Sequence, residues 1–177
     1  MRVLALSGSL RSESTNSRLL RAVAELAPKM MQFTFYDRQL ALMPPFSPDL
    51  DAEGAGPAPL QVGAFRQLIR DADAVLISCP EYAHGVPGAF KNALDWVVSS
   101  GELGGKPLAV LMASPSGAPF ARAALLPTLN VLEARMVFES SLVLARKDFT
   151  ADGHLANPQL AATLREVLLA LAAAASL

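Results

Sequence analysis

Val3-Leu4-Ala5-Leu6-Ser7-Gly8-Ser9-Leu10-Arg11-Ser12-Glu13-Ser14-Thr15-Asn16 opens as an apolar run and ends in hydroxyls, one glycine and one arginine. The run has the length and flanks of a buried strand, and an amphipathic segment, Ser17 to Leu26, follows it. A helix start leaves backbone N–H groups without partners and carries a partial positive charge, so a phosphate there collects donors without a metal. Ser9, Arg11, Ser14, Thr15 and Asn16 can surround one such group: the hydroxyls add donors and Arg11 adds a planar cation. The same residue types also serve as plain helix caps, a role open to Thr15 or Asn16. Strand before, helix after and arginine within favour the anion.

The rest of the chain repeats this rhythm. Val3 to Leu6, Gln32 to Tyr36, Ala74 to Cys79, Leu108 to Ala113 and Arg135 to Phe138 read as strands. Ser17 to Leu26, Leu60 to Asp71, Gly88 to Ser99 and Arg122 to Leu132 place apolar residues at helical spacing between them. The first, third and fourth strands are continuously apolar, as strands covered on both faces are, so the expectation is an α/β protein with a central parallel sheet. Five strands suggest the doubly wound order 2-1-3-4-5, whose ligand lies beyond the C-terminal strand ends, between strands one and three. The loops at that point are Ser7 to Asn16 and Pro80 to Pro87. Leu40 to Pro59 breaks the rhythm: it is proline-rich and aperiodic, a long surface loop or lid holding Met43 and Phe46.

At 177 residues the chain suits one domain, 1–177, with no second domain, repeat or linker. Fifteen basic and sixteen acidic residues nearly cancel without forming runs, which gives nucleic-acid binding little electrostatic support. Cys79 is the single cysteine, leaving neither an intramolecular disulfide nor a cysteine-based zinc site. No uninterrupted apolar stretch reaches the eighteen or so residues that a membrane span needs. The first strand starts at once, without a signal-peptide pattern, so the expectation is a cytoplasmic protein. The alanine- and leucine-rich run Leu168 to Leu177 reads as a closing helix on the sheet, not as an anchor.

Other phosphate motifs fail on inspection. The dinucleotide fingerprint G-x-G-x-x-G is absent from the first loop, where Gly8 is the one glycine. Gly101 to Lys106 is one residue short of a nucleotide-triphosphate loop, and Pro107 stands where Ser or Thr is required. A tyrosine-phosphatase loop needs a thiolate at the strand end, and position 7 is serine. The second loop, Cys79-Pro80-Glu81-Tyr82-Ala83-His84-Gly85-Val86-Pro87-Gly88, is stiffened by prolines, and its glycines let backbone approach a flat ligand. Taken alone, it is balanced between a ring-binding loop and an ordinary strand-to-helix turn.

Gly8-Ser9-Leu10-Arg11 with Ser14 and Asn16, then Pro80-Glu81-Tyr82 with Pro87-Gly88 and Lys91-Asn92-Ala93-Leu94-Asp95-Trp96, resembles the NADPH-dependent FMN reductase family, which includes chromate, quinone and azo-dye reductases. The resemblance runs from Met1 to about Ala113. It implies a flavodoxin-like three-layer sandwich in which Ser9, Arg11, Ser14 and Asn16 hold the FMN phosphate, with Thr15 beside them. It implies that Pro80, Glu81, Tyr82 and Ala83 line the flavin ring. It also implies that the loop after strand four, Ser114 to Pro119, closes the other side through Ser114 and Gly117, although the family is more often richer in glycine there.

The function the resemblance implies is an NAD(P)H oxidoreductase. FMN would be the cofactor, NADPH or NADH the donor, and a quinone, azo compound, metal ion or similar small molecule the acceptor, in a ping-pong cycle. The alternatives are a flavodoxin-type electron carrier and a reductase that supplies reduced FMN to a monooxygenase. The family also implies a homodimer or homotetramer, with Trp96 an interface candidate as readily as a core residue. Helix Gly88 to Ser99 is expected to turn Phe90, Leu94, Val97 and Val98 inward, with Lys91 and Asp95 paired on its surface. His84 reads as an exposed loop residue before a proton donor, and Cys79 as a small buried hydrophobe.

Overall fold

Parallel pairing runs through the whole sheet, as the alternation of strands and helices requires. The computed structural model describes residues 1–52 and 56–175; residues 53–55 of the proline-rich segment and 176–177 of the C-terminal run lie outside them. Strands β1 (Arg2–Ser7), β2 (Gln32–Tyr36), β3 (Ala74–Cys79), β4 (Pro107–Ser114) and β5 (Arg135–Val143) form one sheet in the order β2-β1-β3-β4-β5. All four neighbouring pairs are parallel. The helices are α1 (Thr15–Leu26), α2 (Leu60–Asp71), α3 (Gly88–Asp95), α4 (Pro119–Val131) and α5 (Pro158–Ala175).

The alternation of side chains along a strand makes the three layers. Leu4 and Leu6 of β1 pack toward α2, α3 and α4, while Val3 and Ala5 pack toward α1 and α5. Every residue of β3 and β4 is buried, whereas the edge strands β2 and β5 are half-exposed. That contrast is the one the apolar runs predict. β5 runs to Val143, beyond the expected Phe138, and its pairing with β4 shifts register after Leu108, which leaves Val137 without a partner.

Two helix ends differ from expectation for long-range reasons. α3 stops at Asp95 instead of Ser99, because the Trp96 carbonyl is taken by the guanidinium of Arg66 on α2. Tighter turns follow, with Val97 N–H donating to the Leu94 carbonyl at 3.1 Å, and Val98 swings out to 49% exposure, away from the core side assigned to it. The cap of α1 is Ser14, whose Oγ accepts from Ser17 N–H at 3.3 Å, and not Thr15 or Asn16. α5 starts ten residues before the apolar run at Leu168. It is long and apolar enough by composition to cross a membrane, but Leu160, Leu164, Val167 and Leu171 are buried in the core layer shared with α1 and β4.

The described part of the proline-rich segment is fastened down and does not hang as a lid. Leu40 and Met43 are buried, and Phe46 meets Trp96 edge-on with centroids 5.1 Å apart. Trp96 Nε1 and Asn92 Nδ2 both donate to the Pro44 carbonyl at 2.9 Å. Trp96 is therefore a core residue, fully buried within the one chain.

The link between β5 and α5 supplies a pH-dependent fastening. The Asp148 carboxylate accepts from Asn157 Nδ2 at 2.9 Å and from Ala145 N–H at 2.8 Å, and Asn157 in turn caps α5. These bonds, Asn157's foremost, hold the carboxyl below its ordinary range. A group depressed in the folded state contributes stability above its unfolded pKa and loses it as pH falls through the folded value. Asp148→Asn is thus expected to flatten the acid limb of a plot of Tm against pH, and an unchanged slope below pH 5 would contradict the role.

Candidate functional site

Three loops meet at the C-terminal ends of β1, β3 and β4. The first is held close to the second by Gly8, where a Cβ would lie 3.1 Å from Pro80 Cδ and 3.3 Å from Phe90 Cδ1. Within it, Ser7 Oγ accepts from Ser9 N–H at 3.3 Å and from Ser17 Oγ at 3.1 Å. Ser9 Oγ shares a 2.9 Å hydrogen bond with Tyr82 Oη, tying the phosphate-type loop to the Pro-Glu-Tyr loop.

A single cleft of about 140 Å³ is lined by Ser9, Arg11, Ser14, Thr15, Asn16, Pro80, Glu81, Tyr82 and Ser114, together with Ala113 and Pro115. Of the site residues expected from the sequence, Ala83 and Gly117 alone do not line it. Ala113 and Pro115 were missed; they flank Ser114 at the strand end, and the edge of the apolar run was the signal that could have found them.

The lining residues divide by what their side chains are free to do. Among the described residues, no ion pair engages the exposed Arg11 guanidinium. The first turn of α1 carries no acidic residue. Asn16, by contrast, is buried and tied into the sheet: Nδ2 donates to the Ala113 carbonyl at 3.2 Å, and Oδ1 accepts from Ser78 Oγ at 2.7 Å. For an anion it keeps its second Nδ2 hydrogen and its backbone N–H, which at the second helical position has no intrahelical acceptor.

Glu81 is spoken for in a different way. Its Oε2 accepts from Phe120 N–H at 2.7 Å and Ala121 N–H at 3.0 Å, capping α4, and Oε1 faces Ser116 Oγ at 3.5 Å. The carboxylate therefore joins the second loop to the third and compensates the positive end of α4. Ser114 Oγ accepts from Ser116 N–H at 3.2 Å, and Gly117 (φ +78°) turns the third loop back toward α4. What the cleft offers a ligand is one free guanidinium, hydroxyls and a helix start at one end, and proline, tyrosine and backbone at the other. A donor set of that kind fits a phosphate ester carrying a flat ring.

Strain sits beside this cleft. Tyr82 and Gly85 exchange backbone hydrogen bonds of 3.1 and 3.0 Å across a two-residue turn, whose central residues Ala83 and His84 have φ of +48° and +58°. Such a turn favours glycine or asparagine, since a Cβ in the left-handed region costs about 1–2 kcal/mol. Ala83→Gly is expected to stabilise the protein by up to about 1 kcal/mol after glycine's own entropy is charged against it, readable as a raised Tm. A lowered Tm would show that the turn is not strained. The His84 ring stacks on Phe120, centroids 4.3 Å apart, at the exposed rim. Burial pushes the Cys79 thiol up to about 12, so it holds no thiolate at neutral pH.

Fold and site together define a flavodoxin-like α/β protein with a cleft at its topological switch point. The family model described as NADPH-dependent FMN reductase matches residues 1–148, and the chain belongs to that family of oxidoreductases. An NAD(P)H-dependent FMN reductase of Pseudomonas aeruginosa is 36% identical over 177 residues, covering 97% of this chain and 93% of the relative. A 2-hydroxy-1,4-benzoquinone reductase of a Burkholderia species is 40% identical over 114 residues, 63% of this chain and 59% of the relative. Among solved structures, the flavoenzyme NAD(P)H:(acceptor) oxidoreductase FerB of Paracoccus denitrificans superimposes with a TM-score of 0.84 at 29% identity, over 99% of this chain and 97% of that one.

Proposed function

We propose that residues 1–177 act as one FMN-dependent NAD(P)H oxidoreductase unit that reduces a quinone or similar small acceptor by a ping-pong route. The observation that carries this reading is the joint between the two loops, where the Ser9–Tyr82 hydrogen bond puts both motif loops on one cleft. Arg11, Ser9, Ser14 and Thr15 would hold the FMN phosphate, with the start of α1 adding backbone N–H groups. Pro80, Tyr82 and the backbone of Glu81 would border the ring, while Ser114, Ala113 and Pro115 limit it on the β4 side. The cofactor, when bound, supplies the two-electron relay between dinucleotide and acceptor.

What the chain itself contributes is position. Glu81 holds the second loop against α4, Asn16 holds α1 against β3 and β4, and Gly8 permits the first two loops to touch. No side chain is asked to act as a nucleophile. The reading also includes a cytoplasmic homodimer or homotetramer, which gel filtration with light scattering would test.

Membership of a reductase family weighs against an electron carrier, and an NADPH consumption assay with a quinone separates the two. Initial rates over a grid of NADPH and quinone concentrations should give parallel double-reciprocal lines. Intersecting lines would rule out the ping-pong route, and retention of FMN through turnover would rule out the flavin-supplying alternative.

A further inference from the structure

A second hollow, about 460 Å³ and so roughly three times the volume of the cleft, shares Arg11 and Thr15 with it and is completed by Glu13, Arg18 and Arg146. Three stretches of chain bring these cations together. Arg11 comes from the β1–α1 loop, Arg18 from the first turns of α1, and Arg146 from the short 3-10 turn, Arg146–Asp148, that follows β5. That turn is the one fastened by Asp148. Glu13 is paired with Arg18. Among the described residues, Arg11 and Arg146 have no carboxylate partner.

Three guanidinium groups against one carboxylate repel one another, and a dianion entering between them relieves that repulsion while gaining paired hydrogen bonds. Among the described residues, five of the eight other arginines already have carboxylate partners: Arg2 with Asp73, Arg21 with Asp37, Arg66 with Asp51, Arg70 with Glu102 and Arg122 with Glu139. The surplus here is local. Neither Arg18 nor Arg146 lines the inner cleft, so one anion seated there leaves Arg146 without a counter-charge and Arg18 with Glu13 alone.

We infer that this outer hollow receives the 2′-phosphate of NADPH, the phosphomonoester that NADH lacks; the inference rests on the reading of the chain as an NAD(P)H-oxidising FMN protein. The donor must lie across the cleft to reach the ring, and the hollow adjoins the cleft at its phosphate end through Arg11 and Thr15. Planar guanidinium forks suit a phosphomonoester better than they suit the diester bridge common to both dinucleotides. Arg146, exposed and outside the FMN cradle, becomes the residue that sets donor preference.

The test uses FMN-loaded protein, wild type and Arg146→Ala, with kcat/KM measured for NADPH and NADH. FMN occupancy is read from absorbance, and inhibition by 2′,5′-ADP is compared with that by 5′-AMP. The expected result is a wild-type preference for NADPH that falls about tenfold or more in Arg146→Ala, through KM. NADH kinetics and FMN occupancy should stay unchanged, and 2′,5′-ADP should lose its advantage over 5′-AMP. Three results would overturn it: no wild-type preference for NADPH, an equal fall for both donors, or loss of FMN from the variant, which would assign Arg146 to the cofactor's own phosphate. A wild type that oxidises neither dinucleotide defeats the functional reading as well, so the two failures are told apart before any variant is compared.

Discussion

Arg11→Ala is expected to weaken FMN binding by roughly ten- to a hundred-fold while leaving riboflavin binding unchanged, because hydrogen bonds to charged groups are worth about 1.5–3 kcal/mol and every 1.4 kcal/mol is tenfold. Riboflavin has the same ring and ribityl chain without the phosphate, so it serves as the internal control. The side chain is exposed and has no ion-pair partner among the described residues, so its removal orphans nothing in the protein. A change in Tm is not expected, which separates lost affinity from lost fold. Fluorescence titration of both flavins checks it, and equal losses for the two would remove Arg11 from the phosphate end.

The largest effect on stability is expected at Asn16. Its side chain closes a buried three-way joint in which Ser78 Oγ donates to Oδ1 and Nδ2 donates to the Ala113 carbonyl. Ser78 and Ala113 are themselves shut off from water, so Asn16→Ala strands a hydroxyl and a carbonyl, each costing about 1–3 kcal/mol, for a total of about 2–6 kcal/mol. Against the stability of about 5–15 kcal/mol usual for a domain, that is a large share. Urea unfolding should show the midpoint falling sharply. Asn16→Asp discriminates further: a carboxylate still accepts from Ser78 but cannot donate to the carbonyl, so it should also destabilise. An unchanged midpoint in both variants would mean that the joint holds nothing.

The sheet was legible because its information is local. The apolar runs of β1, β3 and β4 are unbroken and β2 and β5 are not, which is enough to place the first three in the middle and the others at the edges. The cleft was legible for a similar reason: the switch point of the order 2-1-3-4-5 brings the ends of β1 and β3 together, so the two motif loops had to meet. Tyr82 and Ser9, far apart in number, touch as a direct result.

What the sequence did not disclose was each side chain's partner. Asn16 reads as a phosphate ligand, and its amide also ties α1 to β3 and β4; Glu81 reads as a ring neighbour, and its carboxylate also caps a helix that begins 38 residues later. The end of α3 could not be seen because it depends on Arg66 reaching across from α2 to the Trp96 carbonyl. Arg146 carried no signal, since its relation to Arg11 and Arg18 exists only once β5 lies beside β4. Periodicity reports which way a residue faces, and tertiary packing decides what it meets there.

The most direct measurement is an absorbance spectrum of the purified protein after incubation with FMN and removal of free flavin. A bound flavin spectrum near one FMN per chain, with free FMN recovered on denaturation, is the predicted result. Protein that stays colourless after that treatment would contradict the account.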